Sequence, residues 1–376
     1  MADYLWACWD GGGNLTPSLG IARELVDRGH RVEFVGREEM LPRVRAAGLE
    51  ATALDGAAAA PDRYGFHPLA PVFGYTSSPV VGDGVAAAVV DRDPDVVVVD
   101  AMFSAALDVA SGFGRPTAVA LHTFFDRLFP QWEANMEMQA ASRVEAGFDG
   151  LPGIDTLWGE RDLLVVNALE TLDGPDVTDW SHVVHGAPVL ASESRAVPCP
   201  LEWDPADPTP LVLLSFSTVT EQRSVEKLQA ALDALAPLPV HVVATTGGIV
   251  DPGELAPPDN ARVLAFADHD ALLACADLAV GHGGHGTTMR CLSRGVPIAA
   301  IPAKALDQAP IAALLEEWGV GVALPGDADV DRIRCAVERI LGEPGYAATA
   351  RELAGLFAGP DGAVPAADAL EELAAR

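Results

Sequence analysis

Lysine is almost missing from this chain. Lys227 and Lys304 are the only two among 376 residues, so arginine supplies nearly all of the 24 basic side chains, against 54 acidic ones. The formal net charge of -30 makes a surface that repels phosphate backbones and anionic lipid, so nucleic acid and membranes are poor partners. Long apolar runs are also lacking. No segment approaches the roughly 20 apolar residues that span a bilayer. Cysteine is sparse, and Cys8, Cys199, Cys275, Cys291 and Cys335 show no C-x-x-C spacing. They read as reduced, mostly buried thiols of a cytoplasmic protein. Met1–Trp9 has no basic cluster and reads as a strand, not a secretory signal. The richness in Ala, Gly, Pro and Arg points to a GC-rich bacterial genome.

What is present is an alternation of strands and helices. The length exceeds what one hydrophobic core organises, so two domains are expected. Tyr4–Trp9 and Arg31–Val35 read as strands, with a helix between them that Pro17 opens and Gly29 stops. Asp95–Val99 and Thr117–Leu121 are continuous apolar runs, as expected of central parallel strands. Val189 to Pro210, with five prolines from Pro198 onward, reads as a linker. The alternation then restarts with strands at Leu211–Phe216, Val240–Thr245, Leu278–Gly281 and Val296–Ile301, and a helix at Val225–Leu235. The fold class is α/β: two Rossmann-like doubly wound domains facing a cleft, residues 1–200 and 210–364, with a final helical segment at 365–376.

Two glycine turns stand out. The first, Gly11-Gly12-Gly13-Asn14, suggests a dinucleotide fingerprint G-x-G-x-x-G. However, Thr16 occupies the third glycine's place, and Glu33 is the nearest equivalent of the ribose-binding acid. The other reading is a sharp turn and nothing more. The second turn follows the Leu278–Gly281 strand and reads His282-Gly283-Gly284-His285-Gly286-Thr287-Thr288. A glycine turn that opens a helix presents unpaired N–H groups and a positive dipole end, which suit a pyrophosphate. His282 can donate to a phosphate oxygen, and Thr287 and Thr288 can donate or cap the helix. Asp307 and Gln308 follow the next strand and can read vicinal sugar hydroxyls. Alternatively, Asp307 and Gln308 simply start a helix and His282 bonds to backbone.

The H-G-G-x-G-T-T stretch, Gly295-Val296-Pro297 after it, and the pattern from Pro302 to Asp307-Gln308 resemble the donor motif of family-one glycosyltransferases. These form the UDP-glycosyltransferase superfamily with the GT-B fold. The resemblance extends to "GGGNLTPSLGIARELVDRGHRV", "VVVVDAMFSAALDVA" and "LLSFST". It implies an inverting, metal-independent sugar transfer with no cofactor, a UDP- or TDP-sugar serving as co-substrate. It also implies that His282, Thr287 and the backbone from Gly284 through Gly286 to Thr288 hold the pyrophosphate, and that Asp307 and Gln308 hold the sugar. Phe266 stands where the family places an aromatic against the base, though it could equally be core. Ser217 and Thr218 stand where small polar residues approach the donor. Arg290 replaces an acid that contacts the ribose in many members, which leaves uridine and thymidine both open. The final helix is expected to cross back to the first domain.

The family's base is a histidine in the first turn, and here that place is Asn14, whose amide has no useful basicity. Its partner acid is matched by Asp100. Three readings stay open: Asp100 acts as base with Asn14 orienting the acceptor; His122 or Asp10 substitutes; or the acceptor is nucleophilic enough to need little help. Phe66, His67, Phe73, Phe124, Phe125, Trp132, Met136 and Met138 suit an apolar acceptor site in the first domain, although such stripes are often core. The expected function is transfer of a sugar to an aromatic or polyketide-like small molecule in secondary metabolism. A non-catalytic nucleotide-sugar-binding accessory protein and a nucleotide-sugar epimerase of the same fold are the rivals. The oligomeric state is left open, a homodimer being one option.

Overall fold

The computed structural model describes residues 1–54, 70–190, 207–216, 223–303 and 307–376. The chain forms two units, Met1–Ala191 with Pro360–Arg376, and Ser192–Gly359. The return to the first unit therefore starts at Pro360, before the expected residue 365.

The first unit is built on seven parallel strands: β1 (Asp3–Ala7), β2 (Arg31–Gly36), β3 (Glu50–Ala53), β4 (Val96–Asp100), β5 (Thr117–Leu121), β6 (Leu163–Val166) and β7 (Val183–His185). Their order is β3-β2-β1-β4-β5-β6-β7. The helices are α1 (Leu15–Asp27), α2 (Leu41–Ala46), α3 (Ala70–Thr76), α4 (Pro79–Arg92), α5 (Ser104–Asp108), α6 (Phe129–Glu145) and α7 (Glu170–Asp173). The β4 run Val-Val-Val-Val-Asp is buried throughout, because helices cover both faces of a parallel sheet. Helix α1 starts at Leu15, two residues before Pro17. The proline still lies in the first turn, where its missing N–H leaves no bond unmade.

The second unit has six parallel strands in the order β10-β9-β8-β11-β12-β13. They are β8 (Leu211–Ser215), β9 (His241–Thr245), β10 (Ala261–Leu264), β11 (Leu278–Gly281), β12 (Ile298–Ala300) and β13 (Gly321–Ala323). Its helices are α8 (Val225–Leu235), α9 (His269–Leu273), α10 (His285–Ser293), α11 (Gln308–Glu317), α12 (Val330–Gly342) and α13 (Pro344–Ala354). In each sheet the first strand of the unit lies between its second and its fourth. That is the doubly wound order, with its switch point between first and fourth.

Helix α14 (Ala363–Ala374) completes the first unit. Its buried Leu370 and Leu373 join the core of Leu19, Leu25, Trp6 and Phe34. Around them Arg28 Nη1 donates to Asp368 and Glu371, each at 2.6 Å, and His30 Nε2 lies 2.7 Å from Glu371. Among the described residues no helix is long and apolar enough to cross a membrane. Cys8 and Cys291 are buried, but Cys275 and Cys335 are exposed, contrary to the expectation of mostly buried thiols; Cys199 lies outside the described residues.

Leu370→Ala is expected to destabilise the first unit by about 2–4 kcal/mol, as a buried leucine truncated inside a core does. Urea denaturation followed by tryptophan fluorescence measures it; an unchanged midpoint would show that α14 contributes little to that core.

Candidate functional site

The second glycine turn is open. It leaves β11 at Gly281 and enters α10, whose N-cap is Gly284. The first helical backbone bond runs from the Thr288 N–H to the Gly284 oxygen at 3.0 Å. The N–H groups of Gly284, Gly286 and Thr287 have no acceptor among the described residues. They are the donors a helix N-terminus offers to an anion. Gly284 is glycine because a Cβ there would collide with the His282 imidazole, whereas nothing stands within 4 Å of a Cβ placed on Gly286. His282 Nδ1 is covered and has no well-formed hydrogen bond among the described residues, although the Ser215 backbone lies close enough to the imidazole to favour its protonated form. Burial, then nearby Lys227, push the imidazole down to about 4, so it is neutral at pH 7.

Other donor-site expectations need adjustment. The helix begins at His285, so Thr287 and Thr288 lie within its first turn. Thr288 is 1% exposed and its N–H is used by Gly284, so only its hydroxyl could serve a ligand. Gln308 is buried, and its Oε1 accepts the Ala303 N–H at 2.8 Å. Asp307 is the half-buried N-cap of α11. Phe266 is 51% exposed beside Gly248, so it is a surface ring and not core. Arg290 pairs with Asp270 at 3.3 Å. Ser217 and Thr218 lie outside the described residues.

The first turn is closed. Gly11 N–H donates to Asn14 Oδ1 at 2.8 Å, Gly12 N–H to Asp10 Oδ1 at 2.9 Å, and Gly13 N–H to the Gly11 oxygen at 3.1 Å. No glycine N–H of this turn is left for a pyrophosphate, which removes the dinucleotide reading. A side chain on Gly11 would run into the Trp9 ring. Asn14 Nδ2 donates to Asp100 Oδ2 and to the Trp9 oxygen, both at 2.9 Å. Asp100 Oδ1 accepts Trp9 Nε1 at 3.0 Å and the Met102 N–H at 2.9 Å. Asn14 and Asp100 are 2% and 1% exposed. Every polar atom of this pair thus has a protein partner and is covered. Trp9, which the sequence reading did not single out, completes the arrangement. Asp10 is bound to Arg43 at 3.0 Å.

His122 is different. It directly follows β5, whose register sets Ala120 beside Asp100. The imidazole is half-buried, edge-on to Trp132 with ring centres 6.0 Å apart, and Nδ1 has no hydrogen-bond partner among the described residues.

The sequence family described as "Erythromycin biosynthesis protein CIII-like, C-terminal domain" matches residues 229–371. The 4'-demethylrebeccamycin synthase of Lentzea aerocolonigenes is 27% identical over 99% of this chain and 99% of its own. The oleandomycin glycosyltransferase of Streptomyces antibioticus is 28% identical over 97% of this chain and 89% of its own. Among solved structures, the calicheamicin glycosyltransferase CalG4 superposes with a TM-score of 0.78 at 25% identity, covering 100% of this chain and 99% of that one. Over its whole length this chain is similar to glycosyltransferases of the bacterial natural-product type, and these likenesses support the family-one reading. Its two units are those of the GT-B fold. The accessory-protein and epimerase readings gain no support from these relatives.

The acceptor residues expected in this glycosyltransferase need correction. Phe124, Phe125, Trp132 and Met136 are each at most 3% exposed. Phe73 is buried as well, and Met138 is half-buried. Phe125 packs against Phe129, Trp158 and Trp180, and Trp132 Nε1 donates to the Phe124 oxygen at 2.9 Å. Flat rings that pack this well on one another form a core, not a wall. Phe66 and His67 lie outside the described residues. Among the described residues, Asp126, Asp173 and His185 form the one cluster with metal-ligand chemistry. Its carboxylates are taken up by protein: Asp173 accepts the Phe125 and Arg127 N–H groups, and Asp126 accepts that of Val177. His185 Nε2 completes the cluster 2.9 Å from Asp173. The cluster pins the loop after β5.

Two outcomes follow from these environments. Asp100→Asn turns an amide towards donors, and is expected to cost roughly 1–3 kcal/mol in a urea titration. His185 sits where burial lowers its pKa, but Asp173 and then Asp126 outweigh burial and hold it above the ordinary 6.5. A raised histidine stabilises fully below 6.5, and that contribution is lost as pH rises through the folded value. Stability of the first unit should therefore fall as the pH rises above about 6.5, and His185→Gln should flatten that slope. A slope unchanged in the variant would assign the effect elsewhere.

Proposed function

We propose that this glycosyltransferase moves a sugar, with inversion, from a UDP- or TDP-sugar bound at the second unit's open turn to an aromatic or polyketide-like natural product. The observation that carries the donor reading is the trio of unsatisfied N–H groups at the head of α10 beside the unpartnered His282 Nδ1. The diphosphate leaving group develops negative charge as the glycosidic bond breaks. Preset N–H dipoles stabilise that charge without reorganisation. No metal or cofactor enters this scheme.

The acceptor must lose a proton. In our reading His122 receives it, because it ends the strand beside Asp100 and its imidazole makes no hydrogen bond to a described residue. Asn14 and Asp100 instead hold the first turn in shape. An acceptor that is already ionised, such as an acidic phenol, needs His122 least.

Incubation with UDP- and TDP-sugars against phenol, amine and alcohol acceptors, read by mass spectrometry and anomeric NMR, tests the reaction. His122→Ala is expected to lower kcat about 10²–10⁴-fold with alcohol acceptors and much less with ionised phenols. Parent-level rates with alcohols would remove His122 from the mechanism. Binding of both diphosphates without transfer to any acceptor would revive the accessory-protein reading.

A further inference from the structure

Lys227 has a position that stability does not explain. It is the third residue of α8, where its backbone N–H caps on Ser224 Oγ at 3.1 Å. Cations are disfavoured in the first turn of a helix, because the backbone dipole is positive there. The side chain is half-buried, and burial pushes its ammonium below the ordinary lysine value. No ion pair holds it among the described residues; Asp327 acts on it only from a distance. Its ammonium makes one hydrogen bond, to the Pro302 oxygen at 3.4 Å, and lies 6.0 Å from the centre of the Phe216 ring. An ammonium carries three donors, so two are unused among the described residues.

Lys227 shares a narrow, open cleft of about 20 Å³ with His282. Phe216, Thr246 and Ala303 also line it, so it lies at the carboxyl ends of β8, β9, β11 and β12. Lys227 is close enough to His282 to oppose protonation of the imidazole. Two groups of this kind facing one cavity repel when both are charged, and an anion between them converts the repulsion into attraction. In a chain of net charge -30, a half-buried lysine without a carboxylate partner leaves its charge available to a ligand.

We propose that Lys227 is a direct ligand of the donor's diphosphate, sharing it with His282 and the head of α10. The inference rests on the donor reading above and adds to it the cation that the glycine turn lacks. It also gives the site a preference for nucleoside diphosphate esters over nucleotides with a single phosphate.

Calorimetric titration of the whole chain with UDP and TDP tests this. Lys227→Met should weaken whichever diphosphate binds the parent about ten- to a hundredfold. Its melting temperature should hold or rise, because an unpaired half-buried cation has been removed. Lys227→Arg should recover most of the affinity. Parent-level affinity in Lys227→Met overturns the assignment. So does a lowered melting temperature that Lys227→Arg restores together with the affinity, which would mark a structural lysine. If His282→Ala loses affinity and Lys227→Met does not, only the lysine's role fails. If the parent binds neither diphosphate, the donor reading fails with it.

Discussion

Backbone N–H groups taken out of water need acceptors, and the two glycine turns of this protein meet that demand in opposite ways. The turn after β1 supplies its acceptors from within. Asn14 Oδ1, Asp10 Oδ1 and the Gly11 oxygen take the three glycine N–H groups. The turn after β11 supplies none for Gly284, Gly286 and Thr287. An unmade bond of this kind is costly unless water or a ligand makes it. The open turn therefore leaves donors for water or a ligand, whereas the closed turn is a piece of scaffold.

The contrast is sharper because both turns occupy the same topological place. In each unit the first and fourth strands run side by side, with the chain diverging to either side. In the first unit this switch point brings Trp9, Asn14 and Asp100 together into a filled hydrogen-bond network. In the second it brings the end of β8 and the His282 turn together around a cavity. One architecture yields a plug and a receptacle, and the difference lies in a few side chains. Asn14 is long enough to fold its amide back on both the turn and the Asp100 carboxylate. The His282 ring packs into the space that Gly284 leaves, and its Nδ1 finds no such partner among the described residues.

Much of this was legible in the sequence. Thr117–Leu121, Val225–Leu235 and Leu278–Gly281 lie where periodicity and apolar runs put them, since a strand buried on both faces leaves a continuous apolar signature. The strand-to-helix glycine turn after Gly281 was readable from its spacing, although the first turn shows that strand-end glycines can also serve as scaffold. The aromatic stretch from Phe124 to Met136 misled. Composition cannot distinguish rings that line a pocket from rings that stack on Trp158 and Trp180, which are separated from them by tens of residues in sequence. Thr288 and Gln308 were assigned to the site by motif, and their burial was not legible there. Lys227 carried no motif at all. Its only sequence signal was rarity, and its environment emerges only when residues from four strand ends are brought together.

The placement of α14 has a consequence for how the molecule is made. The first unit's core of Trp6, Leu19 and Phe34 is sealed by Leu370 and Leu373, from the far end of the chain. A ribosome must translate the whole second unit before the first can close, on the order of ten seconds or more at ordinary elongation rates. During that interval the α1 surface that α14 will cover is bare. The unit whose synthesis starts first is therefore the last to finish folding.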